Sequence, residues 1–218
     1  MSARPRLIVA TRNAHKTAEI RAMLAASHEV LDMSAFPEAP AIDETGVTFL
    51  ENARLKALGI SRVIEGIVLS DDSGLEVDAL HGAPGVWSSS FGGVEGDHAR
   101  NNARLLREMA GKTDRAARFR CTMVLAQGGE ELAHFTGVVE GRIIGEPRGT
   151  EGFGYDPLFM PDGHERTFAE LGADVKNSLS HRARALAQMV EWLDGKGSVG
   201  SLPGMAAGDA RVPPASSS

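Results

Sequence analysis

The stretch LSDDSGLEVDAL, Leu69 to Leu80, constrains the chain more than any other. An apolar run from Gly66 leads straight into Ser70, two adjacent carboxylates, Asp71 and Asp72, and then Ser73 and Gly74. The run reads as a buried strand from Gly66 to Ser70, with the acids placed just after it. Like charges side by side repel, and each shifts the other's pKa. A turn needs only one Asp. A pair beyond a strand end suits a cation or a general base, because open α/β sheets hold ligands there. The bland alternative is an Asx turn with one Asp exposed.

Other segments alternate in type. Leu7-Ile8-Val9-Ala10 reads as a buried first strand, and Asn13 as the cap of a helix from about Ala14 to Ala26. Thr48, with Glu51 three residues on, forms a capping-box pattern opening a helix that reaches Ile64. Phe36 to Thr45 and His81 to Gly93 read as loops, and Gly141 to Asp162 is rich in glycine and proline but contains aromatics. A further helix is expected from about Asp97 to Ala110. Arg118 to Ala126 and Leu132 to Glu140 read as paired strands around Gly128-Gly129. Leu179, Ala183, Leu186, Val190 and Leu193 mark the last helix, and the Gly/Ser/Ala/Pro-rich segment from Gly195 reads as a disordered tail outside the domain. Early strand–helix alternation with a later hairpin predicts an α/β domain over residues 1–194, built on a mixed sheet.

Composition excludes several classes. A net charge of −6 argues against a general nucleic-acid binder. The single cysteine, Cys121, lies in an apolar run, forms no internal disulfide and fits a reducing compartment. No stretch approaches the roughly 18 apolar residues of a membrane span, and MSARPRLIVAT has no long apolar region before a cleavage site. A cytoplasmic location without membrane contact is therefore expected.

Four constellations carry chemistry. TRNAHK, Thr11 to Lys16, places hydroxyl, amide and ammonium groups at a helix N-terminus, where anions bind. Lys16 opposes the macrodipole there, and a phosphate would reverse that penalty. Asp71 and Asp72 could hold Mg²⁺, with Glu44 of IDETG as a further acid. EGFGYDP offers Phe153 between Gly152 and Gly154 as a stacking face for a base. KNSLSHRARAL brings Lys176, His181 and Arg182 to the start of the last helix, with Ser180 as its cap. Phosphate, metal, base platform and cations together point to a nucleotide polyphosphate.

TRNAHK, DETGVTFLENARLKA, SDDSGLEVDAL, GAPGV, GFGYDPLF and SHRARAL stand in the order and spacing of the inosine triphosphate pyrophosphatase (Ham1-like) family, which the chain resembles from about Leu7 to Leu193. The resemblance implies two lobes around a long mixed sheet with the site in the cleft between them, and a homodimer. It also implies hydrolysis of ITP, dITP and XTP to monophosphate and pyrophosphate with Mg²⁺, cleansing the nucleotide pool. Carried over by position, Thr11, Arg12, Asn13, Ala14, His15 and Lys16 match the phosphate loop. Asp72 matches the proton acceptor and metal ligand, Asp71 its acidic neighbour and Glu44 a second acid near the metal. Ser73 and Lys56 match substrate contacts near the phosphates. Phe153, Gly154, Tyr155, Asp156, Lys176, His181 and Arg182 match base and substrate contacts. One departure stands out: Ser90 occupies a position where many members carry Arg. The alternatives are a catalytically silent purine-nucleotide-binding module, or another Mg²⁺-dependent phosphohydrolase with Asp71 as nucleophile.

Overall fold

A computed structural model describes residues 4–196, and the expected tail lies almost wholly outside them. The strand β1 (Arg6–Val9) leads into α1 (Ala14–Leu24) and returns as β2 (Glu29–Asp32), which pairs parallel to β1. The next helix, α2 (Phe49–Ser61), opens on the expected capping box of Thr48 and Glu51. Then comes β3 (Ile67–Val77), parallel to β1, followed by α3 (His98–Glu108). The hairpin of β4 (Ala116–Gln127) and β5 (Glu130–Ile143) turns at Gly128-Gly129, whose φ values of 60° and 86° only glycine adopts without strain. A short β6 (Phe159–Pro161) and three helices follow: α4 (Phe168–Leu171), α5 (Ala173–Leu179) and α6 (His181–Glu191). The six strands form one mixed sheet in the order β2-β1-β3-β4-β5-β6.

The largest departure from expectation concerns the paired acids. The strand does not stop at Ser70. It runs on to Val77, and Asp71 and Asp72 sit mid-strand opposite Met123 and Thr122 of β4. Acids are depleted in strands, which hides the continuation, but Leu75 and Val77 resume the two-residue alternation and are fully buried. The glycine- and proline-rich segment after Gly141 and the stretch around Glu29 also contain strand, in β5, β6 and β2. These pieces are three or four residues long apart from the end of β5, too short to show a period.

Packing divides the apolar core between the two ends of the long strands. Near β1, Leu7, Val9, Ile20, Leu69, Met123, Leu186 and Met189 join α1 and α6 to one sheet face. Further along, Leu75, Leu105, Phe119, Val139, Phe159 and Phe168 unite α3 and α4 with the far ends of β3, β4 and β5. Gly137 of β5 permits the close seating of α6, since a Cβ there would overlap the His181 carbonyl oxygen. No helix among the described residues is long and apolar enough to cross a membrane.

Candidate active site

Strand β1 ends its pairing with β3 at Val9 opposite Leu69, so β3 runs on without a partner strand on that side as far as the Glu76–Pro84 bridge. At this edge the Asp71 carbonyl accepts from Lys56 Nζ at 3.0 Å and from Lys16 Nζ at 3.4 Å. The two lysines come from α2 and α1 and meet at the mouth of a cleft of about 670 Å³. This is a strand-end crevice of the kind in which open α/β sheets place ligands.

Because side chains alternate along a strand, the two neighbouring acids face opposite ways. Asp71 turns toward α1 and α6. Its carboxylate receives Lys16 Nζ at 2.6 Å, Arg182 Nε at 2.9 Å, Ser73 Oγ at 3.0 Å and Cys121 Sγ at 3.0 Å. Burial pushes this carboxyl up, but Arg182 and Lys16 hold it well below the usual carboxylate range. The same burial, with Asp71 beside it, pushes the Cys121 thiol well up, so Cys121 is inert core. Asp71 does not line the cleft. Unlike the arrangement expected of a metal ligand or of a nucleophile, both Asp71 oxygens accept from protein donors.

Asp72 faces α2 and lines the cleft. Lys56 Nζ lies 3.6 Å from its Oδ1 and 2.7 Å from Glu44 Oε2, while Asp72 Oδ2 is buried without a partner. Burial pushes the Asp72 carboxyl up to about 6; Lys56 and Lys16 pull against that, and Glu44 and Asp71 add to it. An orphaned, buried carboxylate oxygen beside a second acid is the donor set that a hard divalent cation takes, completed by oxygens of a ligand. Asp72 and Glu44 thus fit Mg²⁺. No cluster of three or more metal-ligating side chains occurs among the described residues.

The phosphate end is assembled by the turn before α1. Asn13 caps the helix, accepting from the amides of His15 at 3.0 Å and Lys16 at 3.2 Å. Those two amides are thereby satisfied, and the side chains of Thr11, Arg12, Asn13 and Lys16 all line the cleft. Ala14 and His15 are exposed and do not line it, contrary to expectation. Lys16 keeps its charge: burial lowers its pKa, but Asp71 and Asp72 raise it further.

At the other end, Ser180 caps α6 and delivers His181 and Arg182 to the cleft. Arg182 is 1% exposed, and four hydrogen bonds tie it to Asp71, Ser73 and Glu19. Of its five N–H donors one Nη1 proton remains for a ligand. His181 stacks on Phe119 with centroids 4.9 Å apart, and its buried Nδ1 has no partner. Burial, then the charges of Arg182 and Lys176, hold its pKa well below the usual imidazole value, so it is neutral. Lys176 Nζ bridges Glu19 at 2.7 Å and Asp156 at 2.6 Å, and lies 4.5 Å over the Phe153 ring. Asp156 Oδ2 also accepts the Phe153 amide at 2.8 Å, which fixes the Gly152–Asp156 turn. Tyr155 lines the cleft, but its hydroxyl donates to the Ser88 carbonyl at 2.8 Å and its ring belongs to the core, so it supports the wall and does not donate to a ligand.

The sequence did not point to Glu19, which joins Lys176 to Arg182, or to Glu95 and His98, which line a wall of the cleft with Trp87, Ser88, Ser89 and Ser90. Glu19 stands one helical turn after His15 in α1, on a face whose partners lie far along the chain. Ser90, in the place of the expected Arg, lines this wall with no Lys or Arg beside it among the lining residues of that segment.

A cleft that sets two lysines and a poised carboxylate at one end and an aromatic turn with buried polar groups at the other defines a nucleotide-binding α/β protein. Residues 7–192 match the Ham1 family, and the chain belongs to it. It is 46% identical over 187 residues to the dITP/XTP pyrophosphatase of Listeria monocytogenes, covering 84% of this chain and 92% of that one. With the dITP/XTP pyrophosphatase of Bacillus licheniformis it shares 46% over 191 residues, covering 86% and 97%. Among solved structures it is similar to a Ham1 protein from Coxiella burnetii, with TM-score 0.80, 38% identity and coverage of 88% and 99%. The dITP/XTP pyrophosphatase of Mycobacterium abscessus aligns with TM-score 0.67, 39% identity and coverage of 85% and 98%.

Proposed function

We propose that this protein hydrolyses non-canonical purine nucleoside triphosphates (ITP, dITP, XTP) to the monophosphate and pyrophosphate. Its curated relatives carry the name dITP/XTP pyrophosphatase. The observation that carries the reading is Asp72, a buried carboxylate that lines the cleft beside Lys56 with one oxygen left without a partner.

In this reading the triphosphate enters the cleft between the two ends of the sheet, and Lys16 and Lys56 take its phosphate oxygens. Asp72 orients a water toward the α-phosphorus and accepts its proton. Asp72 and Glu44 hold Mg²⁺, which when bound neutralises the phosphates and polarises their oxygens. Asp71 touches no substrate; it fixes Lys16 and Arg182. The base lies by Phe153, where Lys176, the free Arg182 Nη1 proton and the His181 ring meet its edge. A 6-oxo group accepts from such donors, whereas the adenine amino group would leave them unpaired, which disfavours ATP strongly. The enzyme works as a homodimer.

Product analysis tests the reading. Incubation with ITP and Mg²⁺ should release inosine monophosphate and pyrophosphate in equal amounts. Stepwise release of orthophosphate through the diphosphate would overturn it, and binding without turnover would favour a silent nucleotide-binding module.

A further inference from the structure

The imidazole of His15 lies almost parallel to the Phe153 ring, with centroids 5.0 Å apart and planes 14° from parallel. His98, the first residue of α3, completes a three-ring group, 6.1 Å from Phe153 and 6.3 Å from His15. The three rings come from three elements: α1, the Gly152–Asp156 turn and α3. One turn further along α3, Asn102 Nδ2 donates to the Gly154 carbonyl at 3.0 Å and ties down the same turn. Phe153 and His98 line the cleft, whereas His15 is exposed and lines no part of it. The His15 ring therefore backs Phe153 from the solvent side.

We propose that His15 is a positioning residue that braces Phe153 for contact with the purine and joins the phosphate-binding turn to the base-binding turn. The inference rests on the function proposed above and deepens it. The turn's backbone is fixed by Asp156 and Asn102, and the ring, which lines the cleft, is met by Lys176 Nζ 4.5 Å from its centroid and by the stacked His15 imidazole. The His15 support comes from the first turn of α1. His15 precedes Lys16 directly, so the residue that steadies the base platform and the residue that meets the phosphates share the first turn of α1. Placing the phosphates and orienting the base thus become parts of one arrangement.

The test compares wild type with His15→Ala and His15→Phe in ITP kinetics and in calorimetric titrations with inosine monophosphate and with inorganic tripolyphosphate plus Mg²⁺. The expected result for His15→Ala is a rise in KM for ITP of about two- to tenfold, the size of one lost aromatic pair. Inosine monophosphate should weaken in parallel, kcat should stay within about twofold and tripolyphosphate affinity should be unchanged. His15→Phe keeps a stacking ring and should restore KM. Unchanged KM and monophosphate affinity, equal weakening of tripolyphosphate, or failure of Phe to rescue would each overturn the assignment. If wild type binds inosine monophosphate but does not hydrolyse ITP, the proposed function fails, while the monophosphate titration still decides on His15. If wild type neither hydrolyses ITP nor binds inosine monophosphate, both fail.

Discussion

Asp71 and Asp72 are neighbours in β3 with opposite surroundings: Asp71 is closed off by Lys16, Arg182, Ser73 and Cys121, while Asp72 lines the cleft with one oxygen unpartnered. Adjacent positions on a strand place one acid in the framework and the other at the chemistry. The paired sequence, at first sight a double metal ligand, is a strut on one sheet face and a candidate base on the other.

Replacing Asp72 by Asn should separate activity from stability. Loss of a general base lowers turnover of ITP by about 10²- to 10⁴-fold. Stability moves the other way. The folded pKa of Asp72, about 6, lies above the unfolded value, so the folded state binds the proton more tightly. Its contribution to stability then falls as pH rises from about 4 to about 6, reaching a cost of up to about 3 kcal/mol at neutral pH. Asp72→Asn removes that cost, and its Tm at pH 7.5 should exceed that of wild type by several degrees in a calorimetric scan.

The same charge predicts how a divalent ion acts on stability. Mg²⁺ held as proposed by Asp72 and Glu44 would bind the ionised carboxylate and so stabilise the folded state by mass action. Addition of Mg²⁺ should raise Tm more at pH 7.5 than at pH 5, and chelation should reverse the gain. Asp72→Asn should abolish the response. Equal shifts at both pH values would place the ion elsewhere.

Asp71 carries the opposite sign. Its folded pKa is held well below the unfolded value, so its stabilisation is complete above about pH 4 and is lost as pH falls further. Asp71→Asn leaves Arg182 and Lys16 short of a buried partner and should cost about 3–5 kcal/mol at neutral pH. Urea unfolding at several pH values checks both the loss and the flatter acid limb of the variant.

Gly137→Ala should damage the site from a distance. The added Cβ meets the His181 carbonyl and the Ala185 amide, so α6 must shift outward. Overpacking of this kind costs about 1–3 kcal/mol. Because α6 delivers His181 and Arg182, KM for ITP should rise more than kcat falls, which steady-state kinetics would reveal.

Local rules explain how much of this was readable in the chain. The Thr48–Glu51 box and the Gly128-Gly129 hairpin rest on residues close in sequence, and both appear as expected. Lys16, Asp72, Lys176 and His181 were recognisable by type and spacing and Lys56 by the family resemblance, and the cleft brings them together. The mid-strand position of the acids was not legible, since nothing local signals that β4 pairs past Ser70. Neither was the role of Glu19 or of His15: their partners, Lys176, Arg182 and Phe153, lie more than a hundred residues away, and only the folded sheet makes them neighbours. Arg182 illustrates the limit of reading by type. A guanidinium beside a base-binding motif suggests a ligand donor, yet all but one of its N–H groups serve the framework.

Hydrolysis of ITP in water enriched in oxygen-18 tests most directly whether water attacks the α-phosphorus. The label should appear in inosine monophosphate and be absent from pyrophosphate. Label in the pyrophosphate would mean attack at the β-phosphorus and would contradict the account.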